Sequence, residues 1–192
     1  MKATKQGSTD RRVRRTRRLL RDSLVALTLE RGWEDVSILD VCSHADVGRS
    51  TFYLHFADKE DLLLSGFDEL HEALQGHMGG APGQFAFVEA LLEHVRDNAP
   101  LMRAVVGRKS GQAIQRRFRD LVTTMTDAEL TALGVDAANR PLLARYVSGG
   151  FVDLLLGWLE APRSMEPSVL SERFRVMTRG AISASQQSSG RR

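Results

Sequence analysis

The sequence predicts an all-α protein, and three features of its pattern support this fold class. Apolar residues recur at intervals of three and four along almost every segment, as on one face of a helix. The chain contains no alternating run rich in valine, isoleucine and threonine that is bounded by turn residues. Glycine and proline stand between the periodic segments, where they end helices and begin turns.

The first two helices are predicted from their end signals. One helix covers residues 10–31 and ends at Gly32, because glycine takes the left-handed position after a helix at low cost. A short helix over residues 38–44 follows, with Ser37 as its N-cap. Asp40 stands three residues after the cap, where its carboxylate can return a hydrogen bond to the cap backbone. Local chemistry therefore sets the start of the short helix.

A third helix is predicted over residues 49–55, after the four-residue turn 45–48. Asp58 caps a fourth helix, which continues to about Leu74. Residues 78–83 form the clearest loop in the chain, since they combine three glycines with a proline. The N-terminal part therefore consists of a long helix, two short helices and a second long helix.

Five further helices complete the pattern, and both ends of the chain are predicted to be disordered. The expected helices cover 84–97, 99–107, 110–133, 141–160 and 167–184. The expected tails, residues 1–9 and 185–192, are small and polar and show no periodicity. We expect a head domain over residues 10–57 and a C-terminal helical bundle over residues 58–184.

Positive charge is concentrated near the N-terminus, although the net charge of the chain is only +3. Seven arginines crowd into one short stretch: Arg11, Arg12, Arg14, Arg15, Arg17, Arg18 and Arg21. Such a cluster favours a polyanion as partner. A solvated, disordered tail is the alternative for the cluster taken alone.

The composition argues against secretion and membrane insertion. Cys42 is the single cysteine, so no disulfide can form within the chain. The longest apolar run, residues 151–159, is interrupted by Asp153 and is too short to cross a bilayer. We therefore expect a soluble, cytoplasmic protein that has no signal peptide and no membrane partner.

Two short helices joined by a four-residue turn, behind a long helix with an arginine-rich start, are typical of a helix-turn-helix DNA-binding domain. In such a domain the third helix enters the major groove with its N-terminal end. Arg49, Ser50 and Thr51 stand at that end. Arg49 can pair with guanine, and the methyl group of Thr51 can contact thymine. The sequence thus predicts double-stranded DNA as the partner.

The segment around this turn resembles the DNA-reading domain of the TetR family of transcriptional regulators. Residues 51–56 read TFYLHF and residues 58–60 read DKE, and the likeness covers roughly residues 15–65. Two positions depart from the family pattern. Asp46 stands where the family usually has a turn glycine, and Thr28 stands where it usually has a larger apolar residue. Aspartate tolerates the left-handed conformation, so we expect the turn to survive.

The resemblance implies further contacts with the DNA backbone. Tyr53 and His55 resemble the phosphate-contacting pair of the family. Lys59 and Ser37 resemble two other backbone contacts. Packing is the alternative role for Tyr53, and an ordinary surface position is the alternative for His55. Together with arginines of the first helix, which can lie over the backbone or reach the minor groove, the predicted DNA-binding residues are Arg14, Arg15, Arg18, Ser37, Arg49, Ser50, Thr51, Tyr53, His55 and Lys59.

Several large side chains of the head are expected to be structural. Phe52 and Phe56 should wedge the third helix against its neighbours. Trp33 should fill the core, and Cys42 should act as a small core residue and not as a nucleophile.

The C-terminal helices carry more apolar surface than isolated helices need. The Gly149-Gly150 pair costs helix stability, and close approach of another helix would explain it. The resemblance implies a four-helix interface between two subunits, formed by the last two helices. The predicted interface residues are Tyr146, Gly150, Phe151, Leu154, Trp158, Leu170 and Phe174. A purely intramolecular bundle is the alternative.

The resemblance also implies a pocket for a small-molecule inducer between the head and the dimer end. The predicted lining residues are Phe67, Leu70, Phe87, Leu91, Met102, Phe118 and Val122. Ordinary core packing is the alternative for each of them.

We therefore expect a homodimeric repressor that binds a palindromic operator and is released by a small molecule. An activator or an architectural DNA-binding protein with the same head is the second interpretation. An all-α enzyme is the third, but the sequence contains no acid–base or nucleophile constellation. His71 and His77 do not share a helix face, and we expect neither a metal site nor a cofactor.

Overall fold

The computed structural model describes residues 3–76, 83–105, 111–161 and 165–189. Every regular element in these ranges is an α-helix, as predicted. Part of the expected loop 78–83, and His77 beside it, lie outside the described residues. The helices are α1 (Ala3–Arg31), α2 (Ile38–His44), α3 (Arg49–Tyr53), α4 (Lys59–Gln75), α5 (Ala86–Asp97), α6 (Ala99–Val105), α7 (Gly111–Ala132), α8 (Arg140–Glu160) and α9 (Pro167–Ser189).

The predicted start signals of α2 and α4 are confirmed. The Ser37 hydroxyl accepts the backbone N–H of Asp40, and the Asp40 carboxylate accepts the backbone N–H of Ser37, so the capping box is complete. The Asp58 carboxylate accepts the backbone N–H of Asp61 at the start of α4. These ends were predictable because each depends on side chains within four residues of the cap.

Several helix boundaries differ from the predicted ones, including the start of α5, which lies at Ala86 and not at residue 84. α1 begins at Ala3 and not at residue 10, and α9 continues to Ser189 and not to residue 184. Neither extension contains proline, and the helices include residues 3–9 and 185–189 of the segments expected to be disordered. α3 ends at Tyr53, two residues early, because Leu54 and His55 form a turn toward α4.

The turn between α2 and α3 keeps the geometry of a glycine turn without the glycine. Asp46 has φ of 52°, which is the left-handed conformation expected from the sequence. The backbone N–H of Val47 bonds to the carbonyl of Cys42 across this turn. The left-handed conformation of Asp46 and this backbone hydrogen bond therefore fix the angle between α2 and α3.

Two hydrophobic cores organise the chain. The head core lies among α1–α4 and receives one residue, Ile114, from α7. The bundle core lies among α4, α5, α7, α8 and α9. Phe67 of α4 packs against both cores. The head core consists of Leu20, Leu24, Leu27, Trp33, Val36, Val41, Cys42, Phe52, Phe56, Leu62 and Ile114.

α8 is the one helix, among the residues that the structure describes, whose length and composition would suit a membrane crossing. It packs along α7 and contacts α9. Phe151, Val152 and Leu155 are buried against these neighbours. An apolar core helix passes the same length and composition test, and this packing accounts for the apolar character of α8.

Replacing the cap of α2 should destabilise the head. Ser37→Ala removes the hydroxyl that satisfies the first turn of the helix, and we expect a loss of about 1 kcal/mol in the free energy of unfolding. Urea denaturation followed by circular dichroism measures this loss. Ser43→Ala, in the same exposed helix but away from its cap, is the matched control. Equal stability of the two variants would contradict the capping assignment.

Candidate nucleic-acid interface and ligand cavity

The position of α3 is determined by two phenylalanines. Phe52 is completely buried and Phe56 nearly so, both in the head core. Their ring centroids lie 5.8 Å apart, so the side chains brace each other as well as α1 and α4. Both residues were predicted as core, and that prediction is confirmed.

The opposite face of α3 is open to solvent. Arg49 and Ser50 are exposed, and Thr51 is half-buried. Tyr53 is half exposed, and its ring stands edge-on to Phe52 at 5.4 Å, so the side chain both packs and presents its hydroxyl end. Leu54 is 80% exposed at the end of the helix, a feature that the motif alone did not single out. This face offers charged, hydroxyl and apolar groups from one short helix.

Contacts with neighbouring side chains restrict His55 and Ser37 more than the exposed Arg49. The His55 ring is half-buried and stands against Phe56 at 6.3 Å. Ser37 is exposed, but its hydroxyl is engaged with Asp40 in the cap of α2. The hydrogen bonds from the Ser37 hydroxyl and backbone hold the pKa of the Asp40 carboxyl below its ordinary value of 3.8. Asp40 is therefore ionised at neutral pH and ready to hold this cap.

Lys59 lies differently from the expectation that its side chain reaches the DNA backbone. Its ammonium donates to the carbonyl oxygens of Trp33 at 2.6 Å and Val36 at 2.8 Å. The same nitrogen lies 4.7 Å from the centre of the Trp33 ring. Two of its three donors are thus used inside the head, because α4 starts directly over the connection between α1 and α2. In the structure this ammonium ties the start of α4 to the segment between α1 and α2.

The arginines of α1 surround the helix ahead of Leu20, which is buried. Arg14, Arg15 and Arg18 are exposed. Arg17, which was not among the predicted DNA contacts, lies with its guanidinium 5.1 Å from the centre of the Phe56 ring. Arg17 therefore joins α1 to the segment that follows α3, while Arg14, Arg15 and Arg18 face solvent.

A cavity of about 620 Å³ lies where α1 of the head meets α4, α5, α6 and α7. This volume is in the range that accommodates small organic ligands. Its apolar wall includes Val25 and Leu29 from α1, a contribution that the sequence did not predict. Burial lowers the pKa of His94, another lining residue, so its imidazole is neutral near pH 7.

Four of the seven predicted pocket residues line this cavity: Phe67, Leu70, Met102 and Phe118. The other three, Phe87, Leu91 and Val122, do not line it. They are almost completely buried in the bundle core, on the faces of α5 and α7 turned toward other helices. Periodicity marks the apolar face of a helix, but it does not tell a packed position from a lining position.

Arg21 and Glu69 form an ion pair at the edge of the cavity. The two guanidinium nitrogens of Arg21 donate to the two carboxylate oxygens of Glu69 at 2.7 and 2.6 Å. The pair joins α1 of the head to α4. Arg21 is largely covered, with 16% of its side chain exposed, whereas 62% of the Glu69 side chain is exposed. Loss of the ion pair is therefore more costly for the covered guanidinium of Arg21 than for the exposed carboxylate of Glu69.

The predicted dimer residues divide into two groups. Tyr146, Gly150 and Leu154 lie exposed along one face of α8. Leu142, one turn before Tyr146, extends this face and is 75% exposed, but the sequence analysis missed it. On α9, Val176 and Met177 are likewise exposed. We call the α8–α9 face the exposed stripe of α8 together with the α9 residues that line one groove with it; it consists of Leu142, Tyr146, Gly150, Leu154, Ala181 and Ser185.

Phe151, Leu170 and Phe174, which were also predicted for the subunit interface, lie inside the single chain. All three are buried in the bundle core, and the rings of Phe151 and Phe174 are 5.1 Å apart. Trp158 also packs against this core, and its indole N–H donates to the carbonyl of Met165. Side chains covered within one chain are not available to a second chain.

Within the described ranges, no group of three or more histidine, cysteine, aspartate and glutamate side chains is arranged to hold a metal ion. Cys42 is buried in the head core, as predicted, and burial raises the pKa of its thiol.

Two family descriptions match the chain. Residues 20–65 match "Bacterial regulatory proteins, tetR family". Residues 85–180, half of the chain, match "Transcriptional regulator C-terminal region". The first range contains α2, α3 and the start of α4, and the second contains the bundle. The first match therefore covers most of the head core, and the second covers most of the bundle core.

Relatives and a solved structure agree with these matches. An uncharacterised helix-turn-helix transcriptional regulator of Bacillus subtilis, YxbF, is 27% identical over 88% of this chain, and the chain spans 46% of that protein. The transcriptional repressor KstR of Mycolicibacterium smegmatis is 27% identical over 94% of this chain and 93% of its own length. The dihydroxyacetone kinase operon activator DhaS shares the fold, with a TM-score of 0.68, 14% identity and coverage of 88% and 97%.

Removing the Lys59 ammonium should destabilise the head and leave the salt dependence of DNA binding unchanged. Lys59→Met leaves two carbonyls without their donor, and we expect a loss of about 2 kcal/mol in the free energy of unfolding. Arg15→Met, an exposed arginine of α1, should show the reverse pattern, with a salt slope lower by about 0.9 and unchanged stability. Urea denaturation and binding titrations at several salt concentrations measure both quantities. A lower salt slope in stably folded Lys59→Met would show that the ammonium meets phosphate.

Proposed function

Because this chain belongs to the TetR family of bacterial transcriptional regulators, we propose that it is a homodimeric repressor whose operator binding is relieved by a small molecule. The observation that carries the proposal is the exposed polar face of α3 above the fully buried Phe52. A helix held in this way presents the same side chains to every DNA site that it meets, which sequence reading requires.

α3 supplies the base contacts in this proposal. Arg49 is exposed at the first position of the helix, and its guanidinium suits the two acceptors of guanine in the major groove. Ser50 and Thr51 follow it on the same helical turn. Leu54, at the other end, offers an apolar surface suited to a thymine methyl or a sugar.

The phosphate contacts come from groups around α3. Tyr53 and His55 flank the far end of the helix, and Arg14, Arg15 and Arg18 extend the positive surface along α1. Ser37 stands at the start of α2, where its exposed side contributes a weaker contact. Each neutralised phosphate releases counterions, so operator affinity falls steeply as salt increases.

The α8–α9 face supports a dimer. It places three large apolar side chains, Leu142, Tyr146 and Leu154, at four- and eight-residue spacings on one stripe of α8. A Cβ added at Gly150 would meet nothing within 4 Å in the single chain, so this glycine leaves room for a second helix close to the backbone. Two chains joined through this face bring two α3 helices to a two-fold symmetric operator.

The cavity supports relief by a ligand. Its wall includes residues of α1, which belongs to the head, of α4, which contributes to both cores, and of α5–α7, which belong to the bundle. A ligand that prefers one relative placement of these helices shifts the population toward that placement. The separation of the two α3 helices in the dimer changes with it, and operator affinity falls by no more than the ligand's preference between the two states. The division into a head over residues 10–57 and a regulatory unit over 58–184 is part of this proposal.

Selection of bound fragments from genomic duplex DNA, followed by release assays with fractionated metabolites, tests the whole proposal. We expect enrichment of a sequence with two-fold symmetry and at least one fraction that lowers affinity for it. An enriched sequence without symmetry would argue against the dimer. Failure of every fraction to change operator affinity would leave a DNA-binding protein without an inducer.

Replacing Arg49 should change which sequence is preferred. Arg49→Ala removes the bidentate donor, and we expect discrimination at one base pair of each half-site to fall by about 1–3 kcal/mol. Repeating the selection from random duplex DNA with the variant measures this change. Arg119→Ala, an exposed arginine of α7, is the control that should keep the original preference. An unchanged preference in Arg49→Ala would refute base reading by this residue.

Charge placed on the α8–α9 face should separate the subunits. Leu142→Asp puts a carboxylate on the apolar α8–α9 face, and we expect the dissociation constant of the dimer to rise at least about tenfold, since desolvating the charge is costly. Sedimentation equilibrium measures it. Leu39→Asp alters a leucine that is similarly exposed but lies in the head, and this variant should remain dimeric. A monomeric unmodified chain at micromolar concentration would rule out the interface.

A further inference from the structure

We propose that the cavity binds an apolar molecule bearing a carboxylate, and that this carboxylate takes the place of Glu69 on Arg21. The inference deepens the proposed function and rests on it for the consequence at the DNA. It adds a chemical class for the ligand and a specific bond that the ligand breaks.

The lining explains the apolar part of the ligand. Residues from five helices form the wall, and most of them are hydrocarbon side chains. These apolar residues are Val25, Ala26, Leu29, Leu63, Phe67, Leu70, Ala73, Val95, Leu101, Met102, Ile114 and Phe118. A molecule that fills this space gains free energy in proportion to the apolar area that both surfaces withdraw from water.

The ion pair at the edge explains the polar part. Arg21 spends both terminal nitrogens on Glu69, and a planar guanidinium accepts any carboxylate in the same bidentate geometry. The exposed Glu69 carboxylate returns to water at little cost when it is displaced. Exchange of one carboxylate for another therefore keeps the covered arginine paired throughout.

A cationic ligand does not have this route. To reach Glu69 it must pull that carboxylate from Arg21, which leaves a largely buried guanidinium without a partner. Asp22, the other acid of the lining, is exposed, so an ion pair with it gains little in water. The asymmetry in burial between Arg21 and Glu69 selects an anion.

The exchange also has a mechanical consequence. Arg21 and Glu69 connect α1 to α4, and the Arg21 side chain runs close to Gly66, where an added Cβ would lie 3.5 Å from Cδ. Arg21 follows Leu20, a fully buried residue of the head core, so the ion pair holds α1 next to a packed segment of the head. A ligand carboxylate on Arg21 ends that connection and lets α1 move relative to α4.

Calorimetric titration of the full chain with three probes of equal length tests the ligand class. Decanoate, decan-1-ol and decylammonium share a hydrocarbon chain and differ in head-group charge. We expect decanoate to bind at least about tenfold more tightly than either of the others, as one bidentate charged contact allows. Equal or tighter binding of decylammonium, or no binding of decanoate, would overturn the inference.

Two substitutions test the exchange, each with a matched control on the neighbouring ion pair. Arg117 donates to Asp68 between α7 and α4 and does not line the cavity. Arg21→Met should weaken decanoate binding about tenfold, and Arg117→Met should not. Glu69→Gln should strengthen decanoate binding about two- to fivefold because the competing carboxylate is removed, and Asp68→Asn should not. Weaker decanoate binding in Glu69→Gln would refute the exchange even if Arg21→Met fails to fold.

The failure of this inference is distinguishable from failure of the proposed function. A ligand-free chain that binds its selected operator but ignores decanoate retains the proposed function and loses the exchange. A chain that ranks the three probes as expected but binds no duplex keeps the carboxylate site and loses the proposed function.

Discussion

The burial of Phe52 is the constraint on which the DNA-reading surface depends. α3 has five residues, far fewer than a helix needs for stability in water, so packing must hold it in place. Phe52 and Phe56 supply that packing from one side of the helix, and Arg17 covers Phe56 from α1. The exposed side is thereby free to carry Arg49 and its neighbours without contributing to stability. Stability and recognition occupy opposite faces of a single turn and a half.

The head is also braced from behind, and the bundle contributes to it. Lys59 ties the start of α4 to the connection between α1 and α2. Ile114 of α7 lies inside the head core, and Phe67 packs against both cores. A change in the position of α4 or α7 therefore also displaces side chains of the head core. The cavity lies at this junction, which is where a bound molecule has most leverage on α1 and α4.

The elements predicted well from the sequence are those controlled by nearby residues. The caps at Ser37 and Asp58 act over three or four positions, and the apolar period of the helices is visible without a structure. Prediction failed where rotation of a helix about its axis decides the outcome. α8 is apolar around much of its circumference, so the sequence could not tell that Phe151 faces the core while Tyr146 faces solvent. It also could not show that Lys59 meets two carbonyls far from it in sequence.

The most direct test of this account is chemical protection of guanine N7 in a selected operator. That atom lies in the major groove, where α3 is required to sit. The account predicts that the bound chain shields N7 atoms in two segments about 34 Å apart, one for each α3 of a dimer. Stable binding that leaves every N7 atom reactive, or indifference to duplex DNA at low ionic strength, would contradict the placement of α3 in the major groove.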